Sequence, residues 1–185
     1  MGTLPAGTVI GFSGRGWKSH LINLGTFGLP FLGLSHIGII NREGQLVEST
    51  SLDPETPCLV KGNRSGCKAV DLSERIRSYR GRVYAYPLTS RLLADERDAL
   101  ATWLRRQLGK PYDFVGALSS SGLGGSGVGA LLRWHDPDAL YCSELVAEAL
   151  RKVNRFRSPS PNYSPNCLLR RLKWQGVVTC PQRLK

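Results

Sequence analysis

A nucleophile, a base and a carboxylate can be picked out of these 185 residues, starting from sulfur. The thiolate is the attacking form of cysteine, so a reactive cysteine needs surroundings that favour negative charge. Cys142, Leu145, Val146, Ala149, Leu150 and Val153 recur at helical spacing, which predicts a helix from about Cys142 to Val153 with one apolar stripe. Cys142 then sits in the first turn, where unpaired backbone N–H groups and the positive end of the helix dipole favour a thiolate. The competing role for a cysteine on such a stripe is that of a small apolar core residue. The first-turn position favours the nucleophile. Cys58, Cys67, Cys167 and Cys180 fall in loops or late elements without that setting.

A thiol nucleophile requires a base, and His20, His36 and His135 are the three histidines. His36 belongs to an expected buried strand, and Gly38 leaves room beside it for another side chain. His135 lies in the polar loop Trp134-His135-Asp136-Pro137. His20 shares a short helix at the edge of the expected pocket with Trp17; both are candidates for contacting substrate, as is Tyr141 beside the nucleophile. An imidazole base also needs its far nitrogen held by a carboxylate or amide oxygen, which fixes the tautomer. Glu48 is the candidate. Its competing role is an exposed strand carboxylate in a surface ion pair.

A β-hairpin must bring base and carboxylate together. Ser35–Ile40 and Gln45–Ser49 read as strands joined by Asn41-Arg42-Glu43-Gly44. With Arg42-Glu43-Gly44 as a three-residue loop and Gly44 left-handed, Asn41 pairs with Gln45 and Gly38 lies opposite Glu48. His36 and Glu48 are then diagonal neighbours on one sheet face. A four-residue loop would put them on opposite faces.

The remaining elements complete an α+β pattern. Thr8–Phe12 reads as a strand, Trp17–Leu24 as a short helix and 25–34 as a Gly- and Pro-rich loop. After an irregular 51–68 connection, Lys68–Leu72 reads as a strand leading into a helical turn at Ser73–Ile76, and Arg82–Leu88 as a strand with Pro87 at its end or edge. Ala99, Leu100, Trp103, Leu104 and Leu108 mark one face of a helix from Ala94, stopped by Gly109 and Pro111. Residues 119–130 are too rich in Gly and Ser to form a packed element and read as a flexible loop; no GxxxxGK[ST] motif makes them a phosphate cradle. Ser164 and Pro165 suit the N-cap and first residue of a helix running to Trp174, followed by a strand-like Val177–Thr179.

Length and a 41% hydrophobic content fit one domain spanning 1–185 with one core. The net charge of +11 favours anionic partners: nucleic acid, anionic lipid or an envelope polymer. The densest basic cluster, Arg170, Arg171 and Lys173, has no interleaved aromatic platform, so a specific nucleic-acid partner is not expected. No CxxC or other ligand spacing occurs, so neither a metal nor another cofactor is expected. The odd number of cysteines fits free thiols in a reducing compartment, with a Cys58–Cys67 bridge as the open alternative. The opening residues lack the pattern of a secretory signal, which points to the cytoplasm or to delivery to the envelope by a phage or non-classical route. Leu21–Ile40 is apolar enough to contact a membrane, but four glycines, Pro30 and His36 argue against a span.

Leu108-Gly109-Lys110-Pro111-Tyr112-Asp113-Phe114 followed by Tyr141-Cys142-Ser143-Glu144-Leu145-Val146 resembles the NlpC-type hydrolases, in which a PY motif precedes a CSxLV helix carrying the nucleophile. In that family the histidine follows the cysteine, with a third polar residue about a dozen positions later. Here His36 and Glu48 keep that spacing but precede Cys142, which resembles the circularly permuted branch, the YiiX-like proteins and their lecithin:retinol acyltransferase relatives. Gly7–Phe12, Ser35–Ile39 and Val47–Ser49 match that branch's opening segments. The resemblance implies a papain-like α+β fold, an antiparallel sheet packed on helices with the nucleophile at a helix N-terminus. It also implies that the Tyr112 hydroxyl faces the oxyanion, beside the backbone N–H of Cys142. Thr8 departs from the branch, which has Asp there, and the 119–130 loop is longer than usual.

The expected reaction is attack by Cys142 on a carbonyl, with His36 as base and acid and a thioester intermediate. Peptidoglycan stem peptides head the substrate classes, since a basic protein suits an anionic envelope. A lipid-directed thioesterase or acyltransferase and a non-catalytic binding module of the same fold are the rivals.

Overall fold

The computed structural model describes residues 3–14, 33–51, 56–113, 140–158 and 163–185. Trp17, His20, His135 and the 119–130 loop lie outside them. Six strands, β1 (Val9–Gly14), β2 (His36–Ile40), β3 (Leu46–Thr50), β4 (Gly66–Val70), β5 (Gly81–Tyr86) and β6 (Gln182–Arg183), form one antiparallel sheet in the order β4-β3-β2-β1-β5-β6. Four helices accompany it among the described residues: α1 (Leu72–Ser78), α2 (Ala94–Gln107), α3 (Cys142–Lys152) and α4 (Pro165–Trp174). The fold is α+β, as the residue pattern predicts.

Alternation along the strands separates two apolar layers. Val9, Ile37, Ile39, Val47, Cys67 and Ala69 face the core shared with α2, α3 and α4. Ile10, Phe12, Ile40, Leu46, Val70 and Val83 face the other way, against Ile76 of α1. Both layers bury their strands, so β1, β3 and β4 read as apolar on both sides apart from a few polar positions that carry the site.

The hairpin has the predicted register. Ile39 pairs with Val47 and Ile40 with Leu46, which carries Asn41 opposite Gln45. The Asn41 N–H donates to the Gln45 carbonyl at 2.9 Å, and Gly44 has φ 78°, the left-handed turn that a glycine adopts without strain. The Asn41 side chain closes the turn by accepting the Gln45 N–H at 2.8 Å and donating to Gln45 Oε1 at 3.0 Å.

Helix starts follow local chemistry. Asp71 caps α1 by accepting the Glu74 N–H at 2.8 Å, and Ser164 caps α4 with Pro165 as its first residue. The end of the chain departs from expectation. Val177–Thr179 makes only an isolated bridge, Leu88 to Val178, because Pro87 has no N–H with which to continue the β5 ladder. The last strand is instead β6, a two-residue edge pair on Tyr84 and Ala85 whose exposed residues give no apolar alternation to read.

Cys58, Cys67, Cys142, Cys167 and Cys180 are all free thiols, so the alternative of a Cys58–Cys67 bridge is not realised.

Candidate active site

Cys142 is the first residue of α3 and His36 the first of β2, so the two meet where strand and helix begin. The N-cap of α3, Tyr141, offers no side-chain acceptor, which leaves first-turn N–H groups available to a negative sulfur. Leu140 anchors this helix start to the sheet: its carbonyl accepts the Ser49 hydroxyl at 2.5 Å, and its N–H donates to Pro111 O at 3.1 Å. The same contacts bring the Pro111–Asp113 segment, with Tyr112, to the head of α3.

His36 lies between the other two candidates. Nε2 is 2.7 Å from Oε2 of Glu48, and the ring is hydrogen-bonded to the Cys142 thiol, so Nδ1 is the nitrogen left for sulfur. Gly38, directly opposite Glu48, makes the approach possible; a Cβ there would lie 2.8 Å from Val47 O and 3.3 Å from the Glu48 Cβ. Glu48 is fully buried rather than a surface carboxylate.

Burial on this scale requires compensation, and two cations supply it. Arg75 Nε donates to Glu48 Oε1 at 2.9 Å, and Lys68 Nζ lies 3.7 Å from the same oxygen. Lys68 is itself completely buried and donates to Thr56 O at 2.6 Å. The Arg75 guanidinium stands over the rings of Phe12 at 5.1 Å and Tyr79 at 5.4 Å, and Phe12 also packs on His36, with ring centroids 5.4 Å apart. None of Arg75, Lys68, Thr56, Phe12 and Tyr79 stands out in the sequence as part of the site. A signal existed for Lys68: strand alternation puts it on the face of Val70 and opposite Glu48.

The electrostatics follow from these contacts. Burial opposes the imidazolium most strongly, but hydrogen bonds to Cys142 and Glu48, with their charges, outweigh it and raise His36 from 6.5 to about 9. Burial also opposes the Cys142 thiolate, yet the His36 hydrogen bond and charge, the Ile37 N–H and the Ser143 hydroxyl bring the thiol below its ordinary value. Glu48 is held below the usual carboxylate range because His36, Arg75 and Lys68 outweigh its own burial. The cluster therefore favours a thiolate–imidazolium pair.

Tyr112 is partly buried, and burial, then the charges of Cys142 and Asp113, push its hydroxyl up, so it lies within electrostatic reach of the sulfur. Tyr141, a candidate substrate contact, is instead buried at the head of α3, where its hydroxyl accepts a bond from the Tyr163 backbone. The large ring packs there and its polar tip finds a partner inside. The other two substrate candidates, Trp17 and His20, lie outside the described residues.

An antiparallel sheet with a cysteine-headed helix on one face and a His–Glu hairpin beneath it defines an α+β protein with the makings of a thiol-dependent site. Its fold is similar to that of metalloprotein yiiX from Escherichia coli O157:H7, a crystal structure that it matches with a TM-score of 0.55 at 22% identity, over 84% of this chain and 69% of that one. The likeness is one of fold. No family model and no curated protein matches the chain.

Proposed function

We propose that this protein is a cysteine hydrolase that cleaves an amide bond through a thioester, with Cys142 as nucleophile, His36 as base and Glu48 as the carboxylate orienting His36. The observation that carries this reading is a single imidazole bonded on one side to a first-turn thiol and on the other to a buried carboxylate. The chain order His36, Glu48, Cys142 supports a place in the permuted branch of the NlpC-type hydrolases, beside the lecithin:retinol acyltransferases.

In the reaction Cys142 Sγ bonds to the substrate carbonyl carbon while the carbonyl π pair moves onto oxygen. The Tyr112 hydroxyl and the Cys142 backbone N–H stabilise that oxyanion. His36 passes its proton to the departing amine as the C–N bond breaks. A water then gives a proton to His36 and attacks the thioester, releasing the acid and the thiolate.

A peptide amide in peptidoglycan is the favoured substrate, because a charge of +11 suits an anionic envelope polymer. A second reading, a lipid-directed thioesterase or acyltransferase, is favoured by Trp174, which is 78% exposed on α4 with Arg171 over its ring. The solved structure of similar fold is described as a metalloprotein. The donors here do not fit a cation: His36 occupies Oε2 of Glu48, while Arg75 and Lys68 hold Oε1 and would repel a third positive charge. Among the described residues no three His, Cys, Asp or Glu side chains form a ligand group.

Incubation with purified sacculi and with phospholipid vesicles, read by mass spectrometry, tests the proposal. New amine termini support the first reading and released fatty acid the second, each abolished by Cys142→Ala. Turnover of neither, with an unreactive Cys142, would refute the enzyme and favour a binding module.

A further inference from the structure

Glu48 has more positive charge around it than it needs. One buried carboxylate faces Arg75 at 2.9 Å, Lys68 at 3.7 Å and His36 at 2.7 Å. Neutralisation alone calls for one cation. The second becomes intelligible if His36 is counted as a partner whose charge comes and goes.

We propose that Arg75 and Lys68 are positioning residues: together they hold Oε1 of Glu48, which reserves Oε2 for Nε2 of His36 and turns Nδ1 toward Cys142. The inference rests on the hydrolase reading above. When His36 delivers its proton to a leaving group it becomes neutral, and a carboxylate with no other partner would be a lone buried anion. It would then take up a proton or rotate toward another donor, and the imidazole would lose its bearing. Two cations on the opposite oxygen keep Glu48 ionised and still through both states of His36.

Neither cation is free to follow the wrong oxygen. The Arg75 guanidinium lies over both Phe12 and Tyr79, whose rings meet edge-on with centroids 5.0 Å apart, and Tyr79 is tied to Ser35, next to His36, at 3.4 Å. Lys68 is fixed by the Thr56 carbonyl at 2.6 Å and hydroxyl at 3.3 Å. The groups facing Glu48 are thus His36 from β2, Lys68 from β4, and Arg75 from α1 with Tyr79 at its end, while Cys67, next to Lys68 in β4, turns to the opposite face of the sheet. Cys142 faces His36, Ser143 and Tyr112, with Glu144 and Asp113 near its helix head. Glu48, Arg75 and Lys68 together leave an excess of one positive charge, which favours the thiolate as well.

The experiment is the rate of Cys142 alkylation by iodoacetamide, read on the labelled peptide from about pH 5 to about pH 10. Wild-type protein stays reactive well below the ordinary thiol range. Arg75→Met and Lys68→Met each move the acid limb up by about one pH unit, an approximately tenfold loss of rate near pH 6, and Arg75→Lys recovers part of it by restoring charge without the Nε contact. An unmoved limb in folded Arg75→Met and Lys68→Met overturns the inference. Nitrogen-15 spectra of histidine-labelled wild-type protein test it without a variant: His36 keeps its proton on Nε2 across the range, and a neutral Nδ1–H tautomer overturns it. A wild-type Cys142 that titrates as an ordinary thiol instead refutes the hydrolase reading, and the tautomer then still judges the positioning.

Discussion

His36 Nε2 and Glu48 Oε2 meet at 2.7 Å although the residues are diagonal, not opposite, across their hairpin. The residue opposite Glu48 is Gly38, and the carboxylate crosses the space that a side chain there would fill. Gly38→Ala is expected to push its Cβ into Leu46 Cδ1 and Val47 O, contacts of 2.7 and 2.8 Å, and to displace β3. The overpacking costs about 1–3 kcal/mol. Chemical denaturation measures that loss, and a parallel fall in Cys142 alkylation distinguishes it from a remote defect.

Glu48→Gln keeps the shape of the carboxylate and removes its charge. Arg75 and Lys68 are then left buried without their anion, the situation in which half of a buried ion pair is most costly. We expect a destabilisation of about 3–5 kcal/mol by urea unfolding, larger than for Gly38→Ala. Equal stability of the two variants would mean that Glu48 is not the charge on which its two cations depend.

His36→Asn tests the source of the thiolate. Without the imidazole, burial acts on Cys142 unopposed by its strongest partner, and the thiol rises above its ordinary value. Alkylation near pH 6 should fall by about two orders of magnitude, with recovery only in alkali. In the wild type the sign runs the other way: the ion pair exists from the lowered Cys142 value up to the His36 value of about 9. In the proposed hydrolysis the imidazolium is the acid, so the alkaline limb of turnover is expected near 9, while alkylation, which needs only the thiolate, persists above it.

The Cys142–His36–Glu48 trio is legible in the sequence because each member has a local signature. Cys142 heads an apolar stripe, His36 sits in a strand beside a glycine, and the Asn41–Gly44 turn fixes the register that aligns Glu48. Arg75 and Lys68 are not legible in the same way. Their significance is tertiary, since α1 and β4 must first fold onto β3 before either cation has a carboxylate to meet. A basic residue in a short helix reads as solvated until its neighbours Phe12 and Tyr79 are known. Tyr141 shows the complementary limit: adjacency to Cys142 in sequence says nothing about which way a ring at an N-cap turns, and here it turns inward.

Asn166, on α4, holds the segment that enters β2. Its Oδ1 accepts the Leu34 N–H at 2.8 Å and its Nδ2 donates to the Leu34 carbonyl at 3.1 Å, pairing with that backbone as a neighbouring strand would. Leu34 lies two residues before His36. Asn166→Ala should cost about 1–3 kcal/mol for two lost bonds, and Asn166→Asp as much, because its second oxygen would face the Leu34 carbonyl. A parallel loss of Cys142 reactivity in both variants would tie the clamp to the site; loss of stability alone would confine it to packing.

Glu144, in the first turn of α3, gives a pH dependence of stability separate from the trio. A helix N-terminus ordinarily favours an anion, but burial and the charge of Asp113, with a smaller contribution from Glu148, outweigh the Tyr141 N–H and Lys110 and raise this carboxyl from 4.5 to about 7. A group whose folded value lies above its unfolded value holds its proton more tightly in the native state. Stability from this group is therefore full below about 4.5 and is lost as pH rises to about 7. The loss is on the order of 2–3 kcal/mol. Glu144→Gln keeps the acceptor for the Tyr141 N–H and cannot ionise, so its melting temperature should exceed that of the wild type at pH 8 and match it near pH 5. A difference independent of pH would show that Glu144 is ionised in the folded protein throughout.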